Sequence, residues 1–191
     1  MYKNYYENLP SGWASVLFSN FTLFTSDYVA NGSFSSLKEN VKFYKEKNCA
    51  LLVKTQDFSN GFKSDLTYTD EHGYLFLSKC HLFGSEIIMS NIGASIGKVF
   101  IMPKLEIPCA LAPNSILVKC YDDITTYFLK FYIMSNHGQN LLKSFTEGTA
   151  MPKFSKTQIR NAFIPVPPYY EQKKIVNKTK SLFTIINFIL D

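Results

Sequence analysis

Two apolar runs flank a glycine-rich segment near the middle of the chain, and their pattern indicates a pair of strands. The runs are EIIMS at 86–90 and KVFIM at 98–102, with NIGASIG between them. Because glycine permits the tight backbone turns that join antiparallel strands, this segment predicts a hairpin or a bulged connection. Further apolar runs of strand length occupy 49–58, 74–83 and 115–121.

Helical spacing replaces the strand pattern after residue 124. Apolar residues recur three and four positions apart from Thr125 to Phe145. This spacing predicts a helix, and the polar, glycine-containing interruption at 136–138 predicts its division into two. A shorter polar helix is predicted over 36–47, with Ser36 as its cap.

The segment EGTAMPKFSKTQIRNAFIPVPPYYEQKKIV, at 147–176, combines a turn, a short helix and the start of a longer one. Ser155 and Gln158 have the spacing of a capping box, in which each side chain binds the backbone of the other. Phe154 and Ile159 occupy the positions of a hydrophobic staple around that cap. A short helix is therefore predicted after Ser155.

The prolines of AFIPVPP, at 162–168, exclude a helix because they lack backbone donors and favour extended geometry. This part predicts an edge strand or a polyproline segment, and Pro168 suits the first turn of a final helix. The apolar residues of that helix follow spacings of four and three, as in a heptad seam. The seam consists of Ile175, Thr179, Leu182, Ile186 and Ile189.

Composition narrows the class of protein. The chain has 191 residues, of which 46% are hydrophobic and 16% aromatic, so it can bury a core and favours strands or a mixed α/β fold. The net charge of +5 is compatible with an anionic partner. The four cysteines have no CxxC spacing, which is typical of core thiols in a reducing compartment. The polar N-terminus and the short apolar runs predict a cytoplasmic location.

The sequence contains near matches to catalytic and cofactor-binding motifs, but each lacks a residue that the motif requires. NIGASIGK, at 91–98, is one residue short of a phosphate-binding loop, and Val99 stands where serine or threonine would coordinate magnesium. VPPY, at 166–169, has Val166 where the NPPY motif of adenine-N6 methyltransferases has asparagine. The three histidines lack the spacing of a metal site or a triad. We therefore expect no catalytic residues, no metal and no bound cofactor in this chain.

Several segments, taken in order, resemble the DNA specificity (S) subunit of type I restriction–modification systems. The segment at 147–176 carries the resemblance most specifically, as the family's junction between a target recognition domain and a conserved helix. The others are LPSGW at 9–13, NGSFSSLKENV at 31–41, GSEIIMSNIGASIGKV at 84–99 and LAPNSILVK at 111–119.

The resemblance implies a mixed α/β fold and two parts. Residues 1–168 would form a target recognition domain with a twisted, mostly antiparallel sheet and flanking helices. Residues 169–191 would begin a coiled-coil-type helix that docks other subunits. An S subunit usually holds two recognition domains, so this chain, with one, resembles half of an S subunit.

The resemblance also implies a function without catalysis. The chain would read one half of a split target in double-stranded DNA and position methyltransferase (modification) subunits, with a restriction subunit joining the complex. S-adenosylmethionine and ATP would bind those partner subunits. Two copies could also form a homodimer through the seam of the last helix.

Base reading in the major groove needs polar groups on loops and helix ends, with cations on phosphates. An alternative role for Arg160 is an ion pair with a nearby carboxylate. The candidate DNA-binding residues are Asn31, Ser33, Lys54, Gln56, Asn91, Lys98, Thr149, Lys153, Lys156 and Arg160.

A second hypothesis belongs to a different class of protein. In it, the chain is an assembly subunit that pairs through its C-terminal helix and does not read DNA. The heptad seam supports this alternative, and the ordered series of motifs together with the basic charge supports DNA recognition.

Overall fold

A computed structural model describes residues 8–146 and 152–190 of the chain. The strands are β1 Ala14–Leu17, β2 Phe24–Asp27, β3 Ala50–Val53, β4 Tyr68–Thr69, β5 His81–Leu82, β6 Ile87–Ser90, β7 Val99–Ile101, β8 Cys109–Leu111, β9 Ser115–Lys119 and β10 Phe163–Val166. The helices are α1 Phe18–Phe21, α2 Phe34–Asn40, α3 Glu71–Phe76, α4 Asp123–Met134, α5 Asn136–Ser144, α6 Lys156–Arg160 and α7 Tyr169–Leu190.

A four-stranded antiparallel sheet in the order β2-β9-β6-β7 lies at the centre of the fold. The β6–β7 pair confirms the predicted hairpin, and its connection contains a single 3₁₀ turn at Gly93–Ser95. Side chains alternate across a strand, so Ile87 and Met89 pack with the helical core while Ile88 packs with a second sheet. This sheet is therefore buried on both faces.

The second sheet has the order β4-β3-β8-β5, and its β3–β8 pair is parallel. A two-stranded antiparallel ribbon, β1 with β10, completes the fold. The predicted mixed α/β class and its mostly antiparallel pairing are confirmed. The strands form three sheets, whereas the expectation was of a single twisted sheet.

The expectation of a strand over 74–83 is wrong for most of that run. Asp70 accepts a hydrogen bond from the Gly73 backbone at 2.8 Å and caps α3, so the run begins in a helix. A 3₁₀ turn follows at Ser78–Cys80, and only His81 and Leu82 enter a sheet. The helical cap here overrides the strand preference of the apolar residues.

The ends of three other elements differ from the predicted ends. The helix predicted over 36–47 is α2, which Ser33 caps by accepting from the Ser36 backbone at 3.2 Å. The run 49–58 leaves the sheet after Val53 and continues as a 3₁₀ turn. The predicted helix pair is confirmed as α4 and α5, which meet at Ser135, one residue before the predicted break.

The described part of the 147–176 segment follows the sequence prediction closely. The Gln158 backbone donates to Ser155 Oγ at 3.2 Å and the Ser155 backbone donates to Gln158 Oε1 at 2.8 Å, which confirms the capping box. Phe154 and Ile159 are buried in the helical core. The proline-rich run is an edge strand, β10.

The last helix, α7, has two different halves. It packs on α4, where Val176 is fully buried and, further along α7, the ring of Phe183 stacks on that of Phe131 at 5.8 Å between ring centroids. Of the predicted seam, Ile175 and Thr179 are half-buried. Its exposed members are Leu182, Ile186 and Ile189. Within the described residues, α7 and the other helices are too short or too polar to span a membrane.

The four cysteine thiols are free, and burial disfavours the ionised form of three of them. Burial raises the pKa of Cys80 to about 11 and that of Cys109 to about 12. Burial likewise raises the pKa of Cys120 to about 12. Because the thiolate is the reactive form, these three cysteines are inert parts of the structure.

Candidate nucleic-acid interface

Two adjoining clefts open where β6 ends and where β8 turns into β9. The narrow cleft has a volume of about 400 Å³ and the wide cleft about 590 Å³. They share Phe43, Pro113 and Asn114 in their walls, so they form one continuous concave face. We refer to this surface as the two-cleft face.

Polar side chains from three segments line the narrow cleft. Lys54 and Gln56 come from the turn after β3, Ser90 ends β6, and Ser95 lies in the β6–β7 connection. The Gln56 side chain is exposed and has no hydrogen-bond partner among the described residues. An exposed carboxamide of this kind can both donate to and accept from a base edge.

Lys54 is already engaged within the fold. Its Nζ donates to the Asp65 carbonyl at 2.7 Å and to Thr67 Oγ1 at 3.1 Å, and it lies 3.7 Å from Asp57 Oδ1. The Asp57 side chain is fully buried and accepts from the Lys54 backbone at 2.8 Å. Burial raises the pKa of Asp57, while these contacts with Lys54 oppose the rise.

Apolar side chains form much of the wide cleft, and charged groups lie among them. Its apolar wall includes Phe34 and Phe43, which are 80% and 54% exposed. Lys38 and Lys153 supply positive charge, and both are exposed. Exposed lysines suit contacts with DNA phosphates, and exposed phenylalanines suit contact with thymine methyl groups in the major groove.

The hairpin connection and the chain after residue 151 build one wall together. The Asn91 side chain donates to the Phe154 carbonyl at 2.9 Å, and the Phe154 backbone donates to the Asn91 carbonyl at 3.1 Å. The Gly93 backbone donates to the Pro152 carbonyl at 2.9 Å. These bonds include an antiparallel bridge between Ile92 and Lys153, and they fix Lys153 at the rim of the wide cleft.

The two-cleft face brings together four of the predicted DNA-binding residues, which are Lys54, Gln56, Asn91 and Lys153. Lys156 adjoins it through an ion pair with Asp27, a residue of the wide cleft. Ser33 caps α2 directly before the wall residue Phe34.

The remaining candidates lie elsewhere or serve the fold. Asn31 donates to the Tyr28 carbonyl and to Cys80 Sγ and accepts from the Lys79 backbone, so its amide is used internally. Lys98 and Arg160 are exposed but line neither cleft. Among the described residues Arg160 forms no ion pair, and Thr149 lies outside the described ranges. The DNA-contact roles of all ten candidates stay predictions.

Sequence reasoning missed Asn114, the polar residue common to both clefts. Proline and asparagine at 113–114 favour a turn, because proline fixes its own φ and asparagine tolerates the left-handed region. The turn could be recognised from the sequence, whereas its position between two clefts depends on the packing of the two sheets. In the described parts of the chain, no three metal-ligating side chains come together.

Solved structures share this fold. The chain matches, over 97% of its length and with a TM-score of 0.65, a protein from work on complex assembly and conformational transition of the type I R-M system, at 14% identity. It also matches the HsdS subunit from Thermoanaerobacter tengcongensis over 94% of its length, with a TM-score of 0.60 and 18% identity. A third match is the type IIG restriction endonuclease BpuSI, with a TM-score of 0.53, 11% identity and 87% of this chain covered.

At these identities, the three matches show a shared fold. The chain spans 42%, 39% and 26% of the lengths of those three proteins. No curated protein matches the sequence. The family profile of the type I restriction modification DNA specificity domain matches residues 35–189. The chain therefore belongs to that family.

Proposed function

We propose that this chain reads one half of a split target in double-stranded DNA and positions methyltransferase subunits, with no catalysis of its own. The observation that carries the proposal is the two-cleft face in a member of the specificity-domain family. That face presents the exposed carboxamide of Gln56 and the exposed ammonium of Lys153, neither of which has a hydrogen-bond or ion-pair partner among the described residues. Such groups provide base contacts and phosphate contacts respectively.

The chemistry of methylation and cleavage would belong to partner subunits. S-adenosylmethionine would bind the methyltransferase subunits, and ATP would bind the restriction subunit. In this proposal the chain recognises the DNA target sequence and holds the methyltransferase subunits on it.

Methylation mapping of genomic DNA tests the proposal directly. The chain is assembled with its cognate methyltransferase subunits, and the methylated adenines or cytosines are identified by sequencing. We expect one short consensus, repeated as an inverted pair if two copies act together. Methylation with no consensus, or an unchanged pattern when the chain is omitted, would refute the proposal.

Variants of the two-cleft face sharpen this test. Gln56→Ala with Lys153→Ala removes the free groups, and we expect at least a tenfold loss of duplex affinity and a weaker dependence on salt. The matched control is Lys104→Ala, which removes the same charge elsewhere. Lys104 packs beside Gly84, before β6 begins, whereas both clefts lie at the far end of β6. Equal losses in both variants would show that the two-cleft face is not the contact surface.

The exposed half of α7 supports a second role in assembly. Leu182, Ile186 and Ile189 are 58%, 48% and 72% exposed, so residues 8–146 and 152–190 leave this apolar stripe uncovered. We propose that this stripe docks methyltransferase subunits or a second copy of the chain. A symmetric pair would place two recognition domains on a split palindrome.

The alternative function, assembly without DNA reading, rests on the same stripe. A chain ending at Ser181 separates the two proposals, because it keeps the turns of α7 that hold buried Val176. DNA binding that survives this truncation while assembly fails supports DNA reading. An intact chain that assembles with the methyltransferase subunits but binds no duplex supports the alternative.

A further inference from the structure

A three-residue turn joins the two four-stranded sheets beside the two-cleft face. Strand β8 ends at Leu111 in the second sheet, and β9 begins at Ser115 in the central one. The Ala112 backbone donates to the Val53 carbonyl at 2.9 Å, and both Ala112 and Ser115 are buried. The turn is therefore anchored at each end by a sheet.

Asn114 occupies a restricted backbone conformation in this turn. Its φ angle is +69°, in the left-handed region that glycine and asparagine tolerate better than most residues. The preceding Pro113 has its own φ fixed by its ring. The position from which the Asn114 side chain projects is thus set by the backbone on both sides.

The Asn114 side chain is available for a ligand. It is exposed, it contributes to both clefts, and it forms no hydrogen bond with any described residue. Asn91 and Asn31 differ in this respect, because each donates its amide to a carbonyl of the fold. Asn114 is therefore an asparagine of the two-cleft face whose carboxamide is both free and held on a rigid turn.

We infer that Asn114 determines specificity by reading an adenine in the major groove, an inference that rests on the proposed function. A carboxamide matches adenine because its N–H groups donate to N7 and its carbonyl accepts from the N6 amino group. A rigid attachment favours this two-bond contact, since little freedom is lost on binding. One adenine of the half-target is assigned to this residue.

Two substitutions at this position test the assignment without straining the turn. Asn114→Gly removes the carboxamide and keeps the left-handed backbone, for which glycine is better suited. We expect discrimination at one adenine–thymine pair of the consensus to fall about 5- to 150-fold, with the other positions retained. The measurement is methylation mapping with the methyltransferase subunits, together with the thermal midpoint of the purified variant.

Asn114→Asp changes the pattern of donors and keeps the shape. A carboxylate only accepts hydrogen bonds, so it cannot donate to adenine N7 and instead suits the cytosine N4 amino group. We expect the preferred base at that same position to shift from adenine to cytosine. Asn48→Asp is the matched control, because Asn48 is exposed and lines neither cleft, and it should leave the consensus unchanged.

The outcomes separate this inference from the proposed function. A wild-type chain that gives no consensus refutes the proposed function. A wild-type consensus that both Asn114 variants reproduce overturns the inference alone. A uniform weakening at every position, with an unchanged thermal midpoint, also overturns it, because that result indicates a contact with the DNA backbone.

Discussion

The Lys156 ammonium lies 3.0 Å from Asp27 Oδ1 and thereby ties α6 to the end of β2. Both side chains are largely shielded from solvent, with 23% and 14% of their surfaces exposed. Asp27 also lines the wide cleft. This ion pair therefore removes one negative charge from the two-cleft face and holds the short helix against the central sheet.

We predict that Lys156→Met destabilises the fold because it leaves Asp27 without a partner. The expected loss is about 1 kcal/mol, between the values for exposed and buried ion pairs. Adding Asp27→Asn should recover part of it, so the double variant should be less destabilised than the sum of the single ones. Urea unfolding measures all three, and Lys63→Met, at an exposed loop position, is the control. Strict additivity would contradict the coupling.

A second prediction concerns the pH dependence that Asp57 imposes. Its pKa is raised in the folded chain by burial, so the folded state holds this proton more tightly than the unfolded state. Stability from this group is therefore present at low pH and is lost as the pH rises from about 4 through the raised value. Asp57→Asn should remove this loss while its side-chain oxygen can still accept from the Lys54 backbone.

The check is urea unfolding of wild type and Asp57→Asn at a series of pH values. The difference in unfolding free energy should move in favour of the variant as the pH rises from 4 to 7. A difference that moves in the opposite direction would mean that the contacts with Lys54 outweigh burial.

A third prediction tests the joint around α6. Phe154 is fully buried and packs near Phe145, with 6.1 Å between ring centroids. Phe154→Ala should cost about 3–5 kcal/mol because it leaves a cavity in the helical core. Phe188→Ala removes an 84% exposed ring and should change the unfolding free energy by less than about 0.5 kcal/mol. Similar costs in both would contradict the burial of the joint.

A fourth prediction addresses the stripe on α7. Leu182→Glu with Ile186→Glu places charge on its exposed apolar face and should abolish self-association without unfolding the chain. Sedimentation at high micromolar concentration should show a concentration-dependent mass for wild type and a monomer for the variant. Asn177→Glu with Lys178→Glu, at exposed positions outside the seam, is the charge control. A wild-type chain that is monomeric at all concentrations would leave subunit docking as the role of the stripe.

Local sequence signals predicted the elements whose ends are fixed by their own side chains. The capping box of Ser155 and Gln158 predicted α6, and the glycine-rich turn predicted the β6–β7 hairpin. The run 74–83 misled because its apolar residues suit a strand, while Asp70, outside the run, caps a helix. The residues of the run alone did not show whether the strand preference or the helix cap would determine its structure.

The candidate site divides in a similar way. Lys54, Gln56, Asn91 and Lys153 were predicted as polar groups on loops, and all four line the two-cleft face. Which of them are free was not predictable, because Lys54 and Asn91 meet their partners only after distant segments have packed. Asn114 was missed as a site residue for the same reason.

The sequence by itself determined the class of fold, the main turns, the cap of α6 and the family resemblance, since these depend on residues a few positions apart. Only the tertiary structure decided that two sheets meet at Asn114, that Lys156 is neutralised by Asp27, and that the first half of α7 is covered while the second is exposed. These features depend on contacts between segments as far as 129 positions apart. Such contacts are set by the packing of whole layers, which no local pattern of residues encodes.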